Sequence, residues 1–156
     1  MPIDPDSLGE LLDDYWPILV QWVGGTRDGA EDVVQSAFIK LASEEPPPGN
    51  PVAWLFKVSK RLAINEQLSR TKRRLRESRV GSHQAESIDR VSGFEMQDLL
   101  CSLDEREREI VIARIWGGLT FDEIAVARAD SKATIWRSYQ SGISKLKIAY
   151  GELQDE

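Results

Sequence analysis

Lys57, Lys60, Arg61, Arg70, Lys72, Arg73, Arg74, Arg76 and Arg79 crowd nine cations into residues 51–80, opposed only by Glu66 and Glu77. Cations at this density can meet the phosphates of a polyanion, or they can simply solvate one face of a helix. Trp54 and Phe56 stand one helical turn ahead of the charges. Rings beside cations suit unpaired bases, which stack on the aromatic face while the charges track the backbone. Steps of three and four put Trp54, Lys57 and Arg61 along one side of a helix. Trp54 could instead pack into a core, but Lys57 and Arg61 beside it favour an outward face.

A second constellation lies toward the C-terminus. Thr120-Phe121-Asp122-Glu123 has the pattern of a capping box, in which side-chain oxygens at both ends satisfy backbone amides. A short helix, a tight turn near Ala129-Asp130 and a longer helix capped by Ser131 follow. That is helix-turn-helix spacing, in which the second helix can enter a major groove, although any helical hairpin gives the same spacing. With Ile135, Tyr139, Gly142, Leu146 and Tyr150 facing inward, Lys132, Trp136, Arg137 and Gln140 face outward, and Ser131 and Thr134 stand at the helix start. Arg137 is the expected base or phosphate contact.

A third surface is acidic. If Val33, Val34, Ala37, Phe38 and Leu41 form the buried face of a helix, the opposite stripe is Asp32, Gln35, Ser36 and Ile39. An outward Ile within acid and amide groups reads as a protein-docking surface, although a single exposed Ile is common. Other chemistry finds no residues. One Cys and one His give neither a disulfide framework nor a zinc site, and suit a reducing cytoplasm. Cys101, beside Leu99, Leu100 and Leu103, reads as core, as do Trp16, Trp22 and Trp116; His83 reads as solvated. No nucleophile set, catalytic carboxylate pair or phosphate loop appears. The expectation is therefore no enzyme, no cofactor and no metal.

The 156 residues are 41% hydrophobic and 29% charged, which fits a folded chain and not a disordered one. No apolar run is long enough to enter a membrane, and the acidic N-terminus lacks a signal-peptide pattern, so a cytoplasmic location is expected. The net charge of −6 hides an asymmetry. Residues 1–50 sum to −8, 51–80 to +7, 81–130 to −6 and 131–156 to +1. A basic segment between acidic blocks suggests polyanion contact in one place and a different partner elsewhere.

The elements that must position these residues are all helical. Leu8, Leu11, Leu12, Tyr15, Leu19, Trp22 and Val23 follow helical steps, with Pro17 as a kink or a late start and Gly24-Gly25 as the end. Asp28-Gly29-Ala30-Glu31 has a capping-box pattern for the second helix. Three prolines at 46–48 break it. Asn50-Pro51 reads as an N-cap and first position of a third helix carrying Leu55, Val58, Leu62 and Leu68, which ends near 74–77. Four helical signals follow: 94–103, one opened by Asp104-Glu105-Arg106-Glu107, one by Thr120 and one by Ser131. The predicted fold is all-α, two small helical domains at 7–77 and 93–150 joined by a flexible linker at 78–92, the C-terminal domain a helix-turn-helix.

Together these motifs resemble the extracytoplasmic-function (ECF) class of sigma-70-type RNA polymerase sigma factors. The stretch from Ala30-Glu31-Asp32-Val33-Val34-Gln35 to Phe38 is similar to region 2.2 of that family. The stretch from Ala53-Trp54-Leu55-Phe56-Lys57 through the basic run is similar to regions 2.3 and 2.4. Leu103 to Val111 and Gly118 to Ala125 are similar to region 4. The resemblance covers about nine tenths of the chain in the family's order and implies only regions 2 and 4, with no further domain. It implies that Asp32, Gln35, Ser36 and Ile39 bind core RNA polymerase. It also implies that Asn50, Trp54, Lys57, Lys60, Arg61, Arg70, Arg73 and Arg74 face the −10 element of promoter DNA, and that Ser131, Lys132, Thr134, Trp136, Arg137 and Gln140 face the −35 element. An anti-sigma factor is a further implied partner. The chain departs from the family at Arg61, at the turn Arg128-Ala129-Asp130 and at Ser138 and Ser141, where relatives carry other residues. The competing reading is a regulatory protein of the same fold that binds polymerase or another partner without productive promoter recognition. A third reading, an ordinary helix-turn-helix repressor, fits poorly with the net acidity.

Overall fold

The computed structural model describes residues 2–24, 28–77 and 99–154, which form six helices and no strand. Helices α1 (Pro5–Trp22), α2 (Ala30–Ser43) and α3 (Pro51–Glu77) pack on one another. After a helical turn at 99–101, α4 (Glu105–Ile115), α5 (Phe121–Arg128) and α6 (Lys132–Gln154) form a second compact unit. The all-α expectation holds. The expected linker at 78–92, with His83 and Arg79, and the expected helix start at 94 lie outside the described residues. Among the described residues no helix is long and apolar enough to cross a membrane, and no group of three His, Cys, Asp or Glu residues could hold a metal ion.

In the first unit, Asp4 caps α1 by accepting the Ser7 amide at 3.2 Å. The helix starts at Pro5, so Pro17 is an internal proline and does not mark a late start. The expected capping box at Asp28 is not formed. Gly29 is the N-cap of α2, at φ 89°, without a side-chain cap bond. Glycine suits this position because it tolerates the left-handed backbone; a methyl group there would lie 2.5 Å from Arg70 Nη2, the mobile end of a long side chain that can move aside. Asn50 caps α3 as expected, its Oδ1 accepting the Ala53 amide at 3.2 Å.

Leu19, Trp22, Val34, Leu41, Leu55 and Phe56 form the closed centre of this unit. Trp22 Nε1 donates to the Phe56 carbonyl at 2.9 Å, and the two rings meet at 5.2 Å. Burying the indole is affordable because its one donor finds a partner. Leu68 does not join this core; it is exposed. At about 100° per residue it lies far from the buried side of α3 marked by Leu55, Phe56 and Ser59, in line with exposed Ile64 and Leu75.

In the second unit both expected capping boxes close. Glu107 N donates to Asp104 Oδ1 at 2.8 Å and Asp104 N to Glu107 Oε1 at 3.1 Å. Thr120 and Glu123 exchange the same pair of bonds at 3.1 and 2.9 Å. Ile110, Val111, Ala113, Leu119, Ile124 and Ile135 fill the core. Gly142 is buried where a methyl group would lie 3.0 Å from Val111 Cγ2, so its bare backbone sets the close approach of α6 to α4.

Three expected core residues of the second unit are not core. Cys101 is exposed, because Leu100 and Leu103, one turn apart, take the buried side of the short turn. Trp116 lies past the last turn of α4 and is exposed. Tyr150 is exposed near the end of a helix much longer than its partners α4 and α5.

Candidate nucleic-acid and partner-docking surfaces

On α2 the buried side is Val33, Val34, Ala37, Phe38 and Leu41. Asp32, Gln35, Ser36 and Ile39 are all exposed on the other side, Ile39 at 63%. The stripe is thus a continuous outward surface, acidic at Asp32, polar at Gln35 and Ser36 and apolar at Ile39.

The basic face of α3 divides. Trp54 is half-buried, and Lys57 and Arg61 are exposed with no ion pair among the described residues. This part matches the outward aromatic-and-cation face read from spacing. Lys60 is the correction: only 9% of it is exposed, its Nζ donates to the Trp22 carbonyl at 2.7 Å and lies 4.4 Å from the Trp22 ring centroid. An ammonium can be buried this way because a carbonyl and an aromatic face replace its water. It is not available to DNA. Phe56 is a second correction, being wholly core, so Trp54 alone supplies ring surface on this face.

Asn50 is exposed, but its amide oxygen is engaged as the cap of α3. Arg70 pairs with Glu66 of its own helix at 3.3 Å, and its guanidinium lies next to Gly29 at the start of α2. Arg73 and Arg74 are exposed near the end of α3.

The helix-turn-helix is held by groups that spacing did not indicate. The Ala129 amide donates to the Val126 carbonyl and the Asp130 amide to the Ala125 carbonyl, at 3.3 and 3.1 Å, with Ala129 at φ 57°, ψ 39°. This is the bond pattern of a Schellman motif, with alanine at the left-handed position that usually takes glycine. Arg128 pairs with buried Glu109 of α4 and, at 3.4 Å, with Asp130, which pairs in turn with Arg106 at 2.7 Å. The sequence signal for this network was the unusual pair Arg128 and Asp130; Glu109 closes a run of charged residues from 104 to 109, and nothing in that run marks it as buried.

Glu107 anchors the other end of α6. Burial pushes its carboxyl up, but the Lys145 ammonium at 2.7 Å, the Ser141 hydroxyl and the Asp104 amide together hold it below its ordinary value. The same carboxylate raises Lys145. Ser141 is thus engaged with α4, not directed at a ligand.

On α6, Ser131 Oγ accepts the Thr134 amide at 3.2 Å and lies 2.8 Å from Thr134 Oγ1, so both hydroxyls serve the helix start. Lys132 pairs with Asp122 at 3.3 Å, both well exposed. Trp136, Arg137 and Gln140 are exposed, while Ile135 is wholly buried.

With this geometry in view, the similarity to known proteins can be placed. No protein-family model matches the chain. It is 26% identical over 137 residues to the ECF RNA polymerase sigma factor SigK of Mycobacterium sp. strain KMS, covering 82% of this chain and 71% of that protein. It is 27% identical over 140 residues to SigK of Mycolicibacterium vanbaalenii, covering 82% and 70%. Its fold is similar to that of the sigma factor RpoE of Bartonella quintana, solved in complex with the anti-sigma factor NepR. The TM-score is 0.60 with 22% identity, over 95% of this chain and 98% of that one. The all-helical units and the helix-turn-helix are those of the sigma-factor fold. The chain is homologous to ECF sigma factors of the sigma-70 type.

Proposed function

We propose that this protein is a non-enzymatic sigma factor that acts in the cytoplasm. It binds core RNA polymerase through the exposed face of α2 and directs transcription initiation at specific promoters. In this reading Asp32, Gln35, Ser36 and Ile39 dock on polymerase. Trp54, Lys57 and Arg61, with Arg73 and Arg74 beyond them, engage the −10 element as it opens. Trp136, Arg137 and Gln140 engage the −35 element, with Ser131, Lys132 and Thr134 shaping the start of that helix. An anti-sigma factor is the expected regulator.

The observation that carries the reading is the outward face of α3, where Lys57 and Arg61 stand beside half-buried Trp54. A base that has left the stack can rest on the ring while the cations meet phosphate. The net charge of −6 fits a subunit that meets DNA only within a larger complex.

Run-off transcription with purified core polymerase on promoter fragments tests the reading: initiation should depend on added protein. Asp32→Arg with Gln35→Ala should weaken core binding by about 1–3 kcal/mol, as at interface hot spots, with thermal stability nearly unchanged. Equal core affinity for variant and parent would withdraw the α2 assignment.

A second reading has its own observation. Ile64, Leu68 and Leu75 are exposed at 48%, 58% and 80%, and their spacing places them in one stripe on α3. Such a stripe suits a protein partner, so a regulator that binds polymerase without opening promoters remains the alternative. Core binding without run-off product from any promoter would favour it.

A further inference from the structure

The outward face of α6 offers DNA more ring surface than charge. Of the two cations near the helix start, Lys132 is already paired with Asp122, leaving Arg137 as the one without an ion pair among the described residues. Between them Trp136 exposes 49% of its surface and makes no hydrogen bond among the described residues.

Its ring is fixed in place. Phe121, the first residue of α5, meets the Trp136 ring edge-on, at 5.3 Å and 83°. Phe121 is itself held from two other sides. Tyr139 packs against it at 5.1 Å, and the Arg114 guanidinium lies 4.6 Å from its centroid. Arg114 is in turn tied to the Leu119 carbonyl at 2.9 Å. Trp136 is therefore a rigid apolar plate on the second turn of the helix that a helix-turn-helix inserts into the major groove.

On the edges of base pairs in the major groove, the thymine C5-methyl is the distinctive apolar group. We infer that Trp136 is a specificity-determining residue that reads the 5-methyl group of thymine in the upstream promoter element, with Phe121 as its positioning residue. The inference rests on the proposed −35 role of α6 and adds to it the chemical group that is recognised.

The test uses the full chain bound to core polymerase. A duplex pool randomised over the upstream and −10 segments is prepared once with thymidine and once with deoxyuridine in the upstream segment. Deoxyuridine keeps every hydrogen-bonding group of thymidine and lacks only the methyl. The thymidine pool should enrich thymine at one or two adjacent upstream positions. That preference should fall about three- to fivefold with deoxyuridine, the effect of burying one methyl group, while other positions stay unchanged. Cytosine at the same position should gain binding when 5-methylated. Trp136→Ala on the thymidine pool should reproduce the parent's behaviour on the deoxyuridine pool, and Phe121→Leu should weaken the preference without abolishing it. The same upstream preference in both pools would overturn the inference and leave the −35 role intact. Polymerase-bound complexes that show no upstream preference in either pool would overturn the −35 role, and the inference with it.

Discussion

Arg128, the last residue of α5, pairs its guanidinium with the carboxylate of Glu109 on α4, an acid with only 6% of its side chain in contact with solvent. Through Asp130 and Arg106 the same network returns to α4, so the turn of the helix-turn-helix is bracketed by charges from the helix beneath it. A buried acid tolerates its loss of water only while cations and donors surround it. Arg128→Ala should therefore destabilise the second unit by about 2–4 kcal/mol, measured by denaturant unfolding. A double-mutant cycle with Glu109→Gln should give a coupling above about 1 kcal/mol. Additive single effects would show that the pair is incidental.

Ala129 holds a left-handed conformation next to that network, at φ 57°. An L-residue with a Cβ carries a cost of about 1–2 kcal/mol there, which glycine escapes at the expense of a more flexible unfolded chain. Ala129→Gly should stabilise the protein by about 0.5–1 kcal/mol, and Ala129→Val should destabilise it by more than that. Loss of stability in Ala129→Gly would mean that the alanine methyl makes a contact worth more than the strain.

Much of this molecule was legible because its signals are local. Capping boxes at Asp104 and Thr120, the Asn50-Pro51 start and the helical spacing of Val33, Val34, Ala37, Phe38 and Leu41 are each set by residues within a few positions. What was not legible depends on which side of a helix meets its neighbours and on pairs far apart in sequence. Leu68 is apolar but out of phase with Leu55 and Phe56, so it faces away from the core in one stripe with Ile64 and Leu75. Lys60 belongs to a basic run by sequence, yet the Trp22 carbonyl 38 residues away gives it a buried site. The Asp28 capping signal was outcompeted by Gly29, whose freedom at positive φ lets it serve as the N-cap.

Glu107 makes the second unit sensitive to acid. Its carboxyl is held below the ordinary value of 4.5 in the folded protein. A group whose folded value is depressed contributes stability above its unfolded value, and that contribution is lost as pH falls through the folded value. The parent should therefore exceed Glu107→Gln in stability by a constant amount above about pH 5.5, and the gap should close on acidification below pH 4.5. Unfolding free energies from pH 7 to pH 3 would read this out. A gap independent of pH would assign Glu107 a role in shape and capping alone. Ser141→Ala should narrow the gap at neutral pH, because it removes one of the donors that favours the ionised form.

Lys60 and Arg61 are neighbours in sequence and opposite in placement, which gives the sharpest separation of structure from function. Lys60 lies inside, on Trp22, while Arg61 is exposed one turn beyond Lys57. Lys60→Ala should cost about 1–3 kcal/mol of stability, since it leaves the Trp22 carbonyl without this charged donor, and should lower transcription only in proportion to the protein lost. Arg61→Glu should leave stability and core binding near the parent's and abolish promoter opening. Opening requires bases to leave the stack, and a carboxylate at that position repels the phosphates that Arg61 would hold. On a template whose −10 strands are already unpaired by mismatch, unstacking costs less, so transcription by Arg61→Glu should recover in part. Permanganate reactivity of unpaired thymines, read alongside core binding, distinguishes failure to open from failure to assemble. Full opening of a duplex promoter by Arg61→Glu would show that this face of α3 does not separate the strands, and the assignment of Trp54, Lys57 and Arg61 to the −10 element would fall with it.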